Sequence, residues 1–244
     1  MTRARTVAAL YDIHGVLPAL EAVLAEPDVR AADVVLVGGD AVTGPFPRET
    51  LDALLALGER ALFVRGNADR MLGEELPDDL WAERNAWARA ELGDDGVATV
   101  TAWPESVTVE IEGLGPTLFC HGSPRSDTEI LTRATPPERL TPILAGVREA
   151  VVVCGHTHVQ FDRGFEETRL VNAGSVGMPY EGETGARWAF LGGDVELRRT
   201  PFDYVAAAGL VRGSGLPEAD DFAAEYVLSS HSAEEATETF EAMA

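Results

Sequence analysis

The stretch of sequence that decides the fold is Thr6–Gly15, which reads Thr-Val-Ala-Ala-Leu-Tyr-Asp-Ile-His-Gly. Its first six residues are mostly apolar and do not alternate with polar ones, which is typical of a strand covered on both faces. The next four residues put a carboxylate, an imidazole and a glycine directly after that strand. The same form recurs along the chain, in the apolar runs Asp33–Val37, Ala61–Val64, Pro116–Cys120 and Ala150–Cys154.

Helical segments separate the first of these runs. Leu17–Glu26 and Arg48–Leu57 have leucine and alanine at helical spacing, and Pro18 and Pro47 stand where the first turn of a helix tolerates proline. Strands that alternate with helices predict βαβ units and a largely parallel central sheet. Later runs are shorter, alternate more and are separated by glycine-rich turns, which predicts antiparallel strands in a second sheet or at an edge: Ser106–Ile111, Val159–Phe165, Thr168–Val171, Arg187–Leu191 and Val195–Thr200.

Two further helical regions are predicted outside these strands. Glu74–Leu92 forms a small helical insertion that carries Trp81 and Trp87, for which core packing is favoured over an aromatic lid that stacks on an organic group. The C-terminal region is expected to form loosely packed helices, the last of them at Ser232–Ala244. Because no repeat, linker or boundary is evident, we expect one domain over residues 1–244, with a core at about 6–200 and a helical extension at about 203–244.

The charge of the chain limits its partners. The formal net charge is −22 at pH 7, which repels duplex nucleic acid and anionic membranes, and no basic patch reverses this charge locally. No run of about 18 apolar residues is present to span a membrane, and the N-terminus lacks the pattern of a secretory signal. Two cysteines, Cys120 and Cys154, are too few for a disulfide framework. We therefore expect a cytoplasmic protein without nucleic-acid duplex or membrane partners.

All five principal apolar runs end in residue types that bind metals, at the edge where open α/β sheets collect their functional groups. Four of the five histidines lie at these ends, which random placement would rarely produce. Asp12/His14 and His156/His158 are i, i+2 pairs that a turn can direct into one space. The strand-end groups are Asp12-Ile13-His14-Gly15, Gly38-Gly39-Asp40, Gly66-Asn67-Ala68-Asp69, Cys120-His121-Gly122 and Gly155-His156-Thr157-His158.

These side chains offer nitrogen and oxygen ligands without a cysteine cluster, which suits Mn²⁺, Fe, Zn²⁺ or Ni²⁺ rather than a thiolate zinc site. The candidates are too many for one ion and suit two ions that share one carboxylate: Asp12, His14, Asp40, Asn67, His121, His156 and His158. Two ions about 4 Å apart can hold both the attacking and the leaving oxygen in phosphoryl transfer. The sequence therefore predicts a dinuclear metal site.

The order of these groups resembles that of the calcineurin-like metallophosphoesterase superfamily, over residues 6 to about 200. Five motifs in the same order make the resemblance specific, whereas a lone Asp-x-His would carry no information. The segments Asp12–Gly15 and Asn172–Gly177 look like the small bacterial and archaeal phosphodiesterase branch. The resemblance implies an α/β fold, a sandwich of two mixed β-sheets flanked by helices.

The resemblance also implies a role for each ligand. Asp12, His14 and His158 would hold the first metal, Asn67, His121 and His156 the second, and Asp40 would bridge them, with Asp40, Asn67 and His121 as the catalytic residues. Mn²⁺ is the metal we expect most. The nucleophile would be a hydroxide that bridges the ions, because two cations lower the pKa of bound water toward neutrality. It would attack phosphorus in line, without a covalent enzyme intermediate.

One position departs from much of the superfamily. Where a histidine often follows the asparagine of the third motif and assists the leaving group, this chain has Ala68 and then Asp69. The small phosphodiesterase branch often lacks this histidine too, so the change leaves the general acid unidentified. Asp69 is interpreted as a helix cap rather than an acid, and Asn172 and Ser175 as shaping the floor of the site. Arg125 is either a surface arginine or a fork donor to a substrate phosphate oxygen.

The function favoured by the sequence is divalent-metal hydrolysis of a small organic phosphodiester. The alternative is a phosphomonoesterase for a nucleotide, sugar phosphate or phosphoprotein, because the same two metals serve both reactions. A non-catalytic scaffold of the same fold, like the retromer subunit that resembles this branch, is less favoured since all the ligands are present. The sequence leaves the substrate, the native metal and the oligomeric state open.

Overall fold

In the computed structural model, which describes residues 2–77 and 79–244, two β-sheets pack face to face. The strands of this part of the chain are β1 (Thr2–Ala4), β2 (Val7–Leu10), β3 (Val34–Val37), β4 (Ala61–Phe63), β5 (Ser106–Ile111), β6 (Gly115–Cys120), β7 (Val151–Cys154), β8 (Phe161–Phe165), β9 (Thr168–Asn172), β10 (Ala186–Leu191) and β11 (Val195–Thr200). One sheet has the order β1-β5-β6-β7-β9-β8 and the other the order β11-β10-β2-β3-β4.

Both sheets are mixed. In the five-stranded sheet β2, β3 and β4 run parallel, while β10 lies antiparallel to β2 and β11 antiparallel to β10. In the six-stranded sheet β6, β7 and β9 run parallel, β1 is parallel to β5, and β5 and β8 are antiparallel to β6 and β9. The predicted sandwich of two mixed sheets flanked by helices is therefore confirmed.

The assignment of strands to sheets differs from the prediction. The apolar runs expected in one central parallel sheet are divided, with β2, β3 and β4 in one sheet and β6 and β7 in the other. The later, alternating strands do not form a sheet of their own but extend both. The physical reason is that an apolar run reports burial on both faces and does not report which strand lies beside it.

The position of β2 between two layers explains its unbroken apolar sequence. Val7 and Ala9 point into the core between the sheets, whereas Ala8 and Leu10 point into a second core beneath the helices. Successive residues of a strand face opposite sides, so a strand with helices on one face and a sheet on the other has no position for a polar side chain.

The helices of the described chain cover the outer faces of the sandwich. They are α1 (Leu17–Ala25), α2 (Pro27–Ala31), α3 (Pro47–Leu55), α4 (Asn67–Met71), α5 (Leu80–Thr101), α6 (Pro137–Ile143), α7 (Tyr204–Arg212), α8 (Ala219–Phe222) and α9 (Ala233–Met243), with a 3₁₀ turn at Gly58–Arg60 and a π turn at Ala223–Val227. Helices α1 and α3 lie where the sequence predicts them, and each has proline in its first turn.

The inserted helix begins later than its prediction, while its first segment ends at Leu92 as predicted. Asp79 caps α5 by accepting a hydrogen bond from the Ala82 amide at 3.0 Å, so the helix begins at Leu80. Gly93, with φ of 67° and ψ of 173°, breaks the helical backbone, and a second helical segment continues α5 to Thr101. Glycine tolerates this conformation at little cost, so it permits the kink between the two segments.

The last helix, α9, returns to the sandwich. Ser232 caps it by accepting from the Glu235 amide at 3.2 Å, close to the predicted start. Near its end, Glu241 accepts hydrogen bonds from Thr135 and Arg139, both at 2.9 Å. These contacts hold the neighbouring Phe240 toward the strand ends. None of the helices of residues 2–77 and 79–244 has the length and apolar character needed to cross a membrane.

Candidate metal centre

The loops that follow the parallel strands of both sheets converge, and their predicted ligands meet there. Two groups of candidate metal-binding side chains form, Asp12, His14 and His158 in one and Asp40, His121 and His156 in the other, with the ligand atoms of each group within 4.8 Å of one another. The remaining candidate, Asn67, has an amide atom 2.9 Å from His156 Nδ1 and 3.2 Å from His121 Nε2. All the predicted ligands are thus brought together.

Asp40 lies between the two groups. Its Oδ2 atom is 3.4 Å from His121 Nε2, in its own group, and 3.9 Å from His14 Nε2, in the other. Its Oδ1 atom accepts a hydrogen bond from the Ala68 amide at 2.7 Å. One carboxylate oxygen of Asp40 therefore faces both groups while the other is held by backbone. Asp12 is placed in the same way, with Oδ1 3.3 Å from His158 Nε2 and 3.8 Å from His121 Nε2, and Oδ2 accepting from the His156 amide at 2.9 Å. Either carboxylate is thus placed to serve as a shared ligand.

Backbone strain is concentrated in the same residues. Within the described chain, seven residues other than glycine have positive φ, and five of them are predicted ligands: Asp12, His14, Asp40, His156 and His158. Such left-handed conformations cost on the order of 1–3 kcal/mol each and persist where the surrounding structure enforces them, often at functional sites. The fold thus holds these residues in unfavourable backbone conformations that direct their side chains toward the site.

Buried Asp69 clamps the loop that presents Asp40. Its Oδ2 accepts from the Asp40 amide at 2.7 Å and the Gly66 amide at 2.9 Å, and its Oδ1 from the Ala41 amide at 3.0 Å. Burial, and then the charge of Asp40, raises the pKa of Asp69 to about 7. The carboxylate is directed at backbone and caps α4, in agreement with its interpretation as a cap.

Two imidazoles are oriented by backbone carbonyls. His121 Nδ1 lies 3.0 Å from the Gly38 oxygen, and His158 Nδ1 lies 2.8 Å from the Met178 oxygen. Donation from each Nδ1–H to a carbonyl orients the ring and directs Nε2 toward the centre, the usual arrangement of a metal-binding histidine. Gly39, with φ of +100°, makes this possible because a Cβ there would lie 2.6 Å from His121 Nδ1.

The protonation states follow from burial and from the two carboxylates. Burial and the repulsion of His158 lower the pKa of His14 to about 4, and burial and the repulsion of His121 lower that of His156 to about 4. Burial would lower the pKa of His121, but the charges of Asp40 and Asp12 outweigh it and raise the value to about 10. Burial would raise the pKa values of Asp12 and Asp40, yet attraction to the histidines leaves both below their usual range.

The donor set fits divalent cations. Asp12 Oδ1 is buried and, among residues 2–77 and 79–244, has no hydrogen-bond partner, although it lies 3.3 Å from His158 Nε2. The Nε2 atoms of His14 and His158 lie 3.2 Å apart, close enough for one ring to donate to the other or for both nitrogens to bind one cation. A cation would satisfy these nitrogens and Asp12 Oδ1 together. Nitrogen and oxygen donors without thiolate suit Mn²⁺, Fe, Zn²⁺ or Ni²⁺, and both cysteines are buried elsewhere with their sulfurs on carbonyls.

Two residues of the later glycine-rich turn support the ligand loops. Asn172 Nδ2 donates to the Gly155 oxygen at 2.7 Å and to Thr157 Oγ1 at 3.1 Å. Ser175 Oγ donates to the Asp12 backbone carbonyl at 2.7 Å. Asn172, at the end of β9, and Ser175, in the turn after it, thus each hold a loop that presents ligands, which agrees with their expected place beneath the site.

Arg125 lies on the surface and is paired. Its guanidinium contacts both Glu129 oxygens, with Nε 2.9 Å from Oε2 and 3.1 Å from Oε1, and it donates to the Pro142 oxygen at 3.3 Å. It borders a depression of about 230 Å³ that also reaches His121. Its role in substrate binding stays a prediction, and any such role would require the guanidinium to leave Glu129 or bind through its remaining donors.

A cavity of about 330 Å³ opens onto the two ligand groups. Besides ligands and Ala68, it is lined by side chains that the sequence did not single out, together with Trp81: Thr43, Met71, Leu76, Asn85, Met178, Tyr180 and Phe240. Trp81 is 56% exposed and lines the cavity, so the interpretation of core packing is wrong for this residue. Trp87 packs against the core and Gly215, as that interpretation expects. Tyr180 lies close after Gly177 in the chain, so its position near the ligands could have been inferred from the sequence. No local sequence pattern indicates that Phe240 lines the cavity.

Comparison with known proteins agrees with this fold. The family model of the calcineurin-like phosphoesterase superfamily domain matches residues 6–192 of this chain. The chain therefore belongs to the calcineurin-like phosphoesterase superfamily, and the resemblance seen in the sequence is confirmed. A search of curated proteins gave no match.

Solved structures share the fold over nearly their whole length. A metallophosphoesterase from Sphaerobacter thermophilus is 24% identical, with a TM-score of 0.74 and coverage of 91% of this chain and 99% of that one. A hypothetical protein from Pyrococcus horikoshii OT3 is 21% identical, with a TM-score of 0.79 and coverage of 92% and 99%. At these identities the likeness concerns the fold alone.

Proposed function

We propose that this protein is a divalent-metal-dependent phosphodiesterase that hydrolyses a small organic phosphodiester and uses two ions, with Mn²⁺ expected first. The observation that carries the proposal is the position of Asp40 Oδ2 between His121 and His14, one from each ligand group. A carboxylate oxygen that faces both groups is suited to bridge two ions. Two divalent cations would supply Lewis-acid activation of water and neutralise charge on the phosphate.

The chain's own residues hold and orient these groups. Asp12, His14 and His158 would bind one ion, Asn67, His121 and His156 the other, and Asp40 both. The side-chain amide of Asn67 faces His121 and His156, and its oxygen can bind the same ion as their ring nitrogens. Ala68 lines the cavity beside Asn67 and has no ionisable group, so the leaving oxygen would take its proton from solvent.

The charge of the cavity favours a diester over a monoester. No arginine or lysine lines the cavity in the part of the chain that the structure describes. A diester carries one negative charge at neutral pH, whereas a monoester carries nearly two and gains more from a cationic side chain. The net charge of −22 acts in the same direction and opposes polyanionic substrates such as duplex nucleic acid.

Elemental analysis and hydrolysis together test the proposal. Protein loaded with Mn²⁺ and freed of excess metal should carry close to two ions per chain and hydrolyse bis(4-nitrophenyl) phosphate faster than 4-nitrophenyl phosphate. His14→Gln should lower the metal count, and His231→Gln, which changes the histidine outside both groups, should leave it unchanged. Metal content near zero that divalent ions do not restore, or bound metal without hydrolysis as in a scaffold, contradicts the proposal.

A further inference from the structure

We infer that the cavity binds a flat aromatic substituent of the phosphodiester, one that carries a hydrogen-bonding atom on its edge. The inference rests on the proposed function, because it names the class of organic group attached to the phosphate. The aromatic side chains concerned, called the aromatic wall below, are Trp81, Tyr180 and Phe240, and all line the cavity that opens onto the ligand groups.

The aromatic wall is continuous with both ligand groups. The Tyr180 ring stacks on the His158 ring, with centroids 4.8 Å apart and planes at 28°. The Phe240 ring lies 6.4 Å from His156, in the other group, and 6.4 Å from Tyr180 at 30°. A substituent on a phosphate held at these histidines would therefore meet aromatic faces first. Ring faces are the surfaces on which planar π systems stack.

Asn85 gives the cavity a polar side chain that no other described residue engages. The residue is 5% exposed and lines the cavity. Within residues 2–77 and 79–244 its side-chain amide makes no hydrogen bond, and its atoms are not among those sealed from solvent. The amide is therefore open to a bond with a group in the cavity. The amide offers one acceptor and two donors. A ring whose edge carries a carbonyl, amide or ring nitrogen would satisfy it, and a purely hydrocarbon group would not.

The volume and the charge of the cavity limit the size and the charge of the substituent. The cavity volume of about 330 Å³ is near the lower end of the range of about 300–1,000 Å³ for small-molecule pockets. It accommodates one ring system and its phosphate rather than an oligomer. The lining offers no arginine or lysine among the described residues, so a second phosphate on the substituent would lack a counter-charge.

Binding of non-hydrolysable phosphonates tests the inference separately from catalysis. Titration calorimetry on the Mn²⁺-loaded full chain, at a slightly acidic pH where each compound carries mainly one negative charge as a phosphodiester does, would compare methylphosphonate, cyclohexylphosphonate, phenylphosphonate and 4-carbamoylphenylphosphonate. We expect phenylphosphonate to bind about 10-fold more tightly than methylphosphonate and several-fold more tightly than cyclohexylphosphonate, since stacking favours a flat ring. The carbamoyl compound, which can reach Asn85 with a donor and an acceptor, should bind more tightly still.

Variants assign these differences to residues. Phe240→Leu keeps the position apolar and should lose most of the advantage of phenyl over cyclohexyl. Asn85→Leu should remove the advantage of the carbamoyl group and leave phenylphosphonate binding nearly unchanged. Met243→Ala is the matched control, since Met243 is on the same helix as Phe240, is 69% exposed and does not line the cavity. It should behave as the wild type does.

The outcomes separate this inference from the proposed function. Hydrolysis of diesters together with equal affinity for phenyl, cyclohexyl and methyl phosphonates overturns the inference and leaves the proposed function intact. Aryl-selective binding without hydrolysis of any diester supports the ligand class and overturns the proposed function. An aryl preference that survives in Phe240→Leu and Trp81→Ala overturns the assignment to the aromatic wall.

Discussion

Replacement of Asp40 by asparagine should disable both metal positions at once. Asp40 Oδ1 accepts from the Ala68 amide at 2.7 Å, so the new side chain keeps its oxygen on that amide and turns its NH₂ toward the centre. The NH₂ then stands where Oδ2 lies 3.4 Å from His121 Nε2 and 3.9 Å from His14 Nε2. A donor there bonds to the imidazole lone pairs that a cation needs, and the shared negative charge is lost as well.

The magnitude follows from the number of interactions removed. Loss of a shared charge and a new hydrogen bond to a ligand should lower kcat/KM by about 10³-fold or more, about 4 kcal/mol of transition-state stabilisation. His14→Gln disturbs one group only and should cost less at saturating Mn²⁺. The backbone of Asp40 stays bonded to Asp69 at 2.7 Å, so the fold should persist and circular dichroism should match that of the wild type.

The assay compares metal content and steady-state rates for the two variants and a control. Asp127→Asn removes a carboxylate that pairs with Arg70 at 2.6 Å and belongs to neither group, so two ions and most of the activity should remain. A variant Asp40→Asn that retains two ions, or that loses no more activity than His14→Gln, would refute the shared-ligand geometry.

Three further predictions concern stability, the leaving group and the last helix. Chelation of the metal should lower Tm by about 10–20 °C, because two sites saturated about 100-fold above Kd contribute about 2.7 kcal/mol each and each kcal/mol shifts Tm by about 2–4 °C at this size; an unchanged Tm in calorimetry would argue against two bound ions. Across substituted phenyl phosphodiesters, log kcat/KM should fall steeply with leaving-group pKa, and Ala68→His should flatten the slope. Asp69→Asn should lower the free energy of unfolding, since three backbone amides lose their hydrogen bonds to a carboxylate. It should not alter the slope of log kcat/KM against leaving-group pKa. A shallow wild-type slope that steepens in Asp69→Asn would make Asp69 the acid. Glu241→Ala should raise KM for aryl diesters several-fold without changing metal content, because Glu241 anchors α9 to Thr135 and Arg139. The control is Glu238→Ala, which changes an exposed residue of the same helix. An unaltered KM in Glu241→Ala would show that this anchor does not position Phe240.

The sequence predicted the superfamily and the ligand set because both reside in short motifs. Asp12-Ile13-His14-Gly15 and Gly155-His156-Thr157-His158 each unite a strand end, a turn and ligand types within four residues. Such a motif is determined by local backbone geometry, so it can be recognised without knowing what lies across the molecule. The roles of these residues as ligands stay predictions until bound metal is measured.

The division of strands between the sheets was not predictable in the same way. The runs that became β3 and β7 look alike, Val-Val-Leu-Val and Val-Val-Val-Cys, yet β3 pairs with β2 and β4 while β7 pairs with β6 and β9. Pairing depends on partners that are distant along the chain. A continuous apolar run is compatible with either sheet, because both faces of each sheet are covered by other parts of the protein.

The sequence by itself determined the strand-end motifs, the superfamily and the chemistry of the donor set. The tertiary structure alone decided which oxygen of Asp40 faces both groups, that Asp69 holds backbone, that Arg125 is paired with Glu129, and that Asn85 and Phe240 join the cavity. The reason is distance along the chain: Phe240 meets His156 across more than eighty intervening residues, and no local pattern encodes a contact that arises only when the last helix packs against the sandwich.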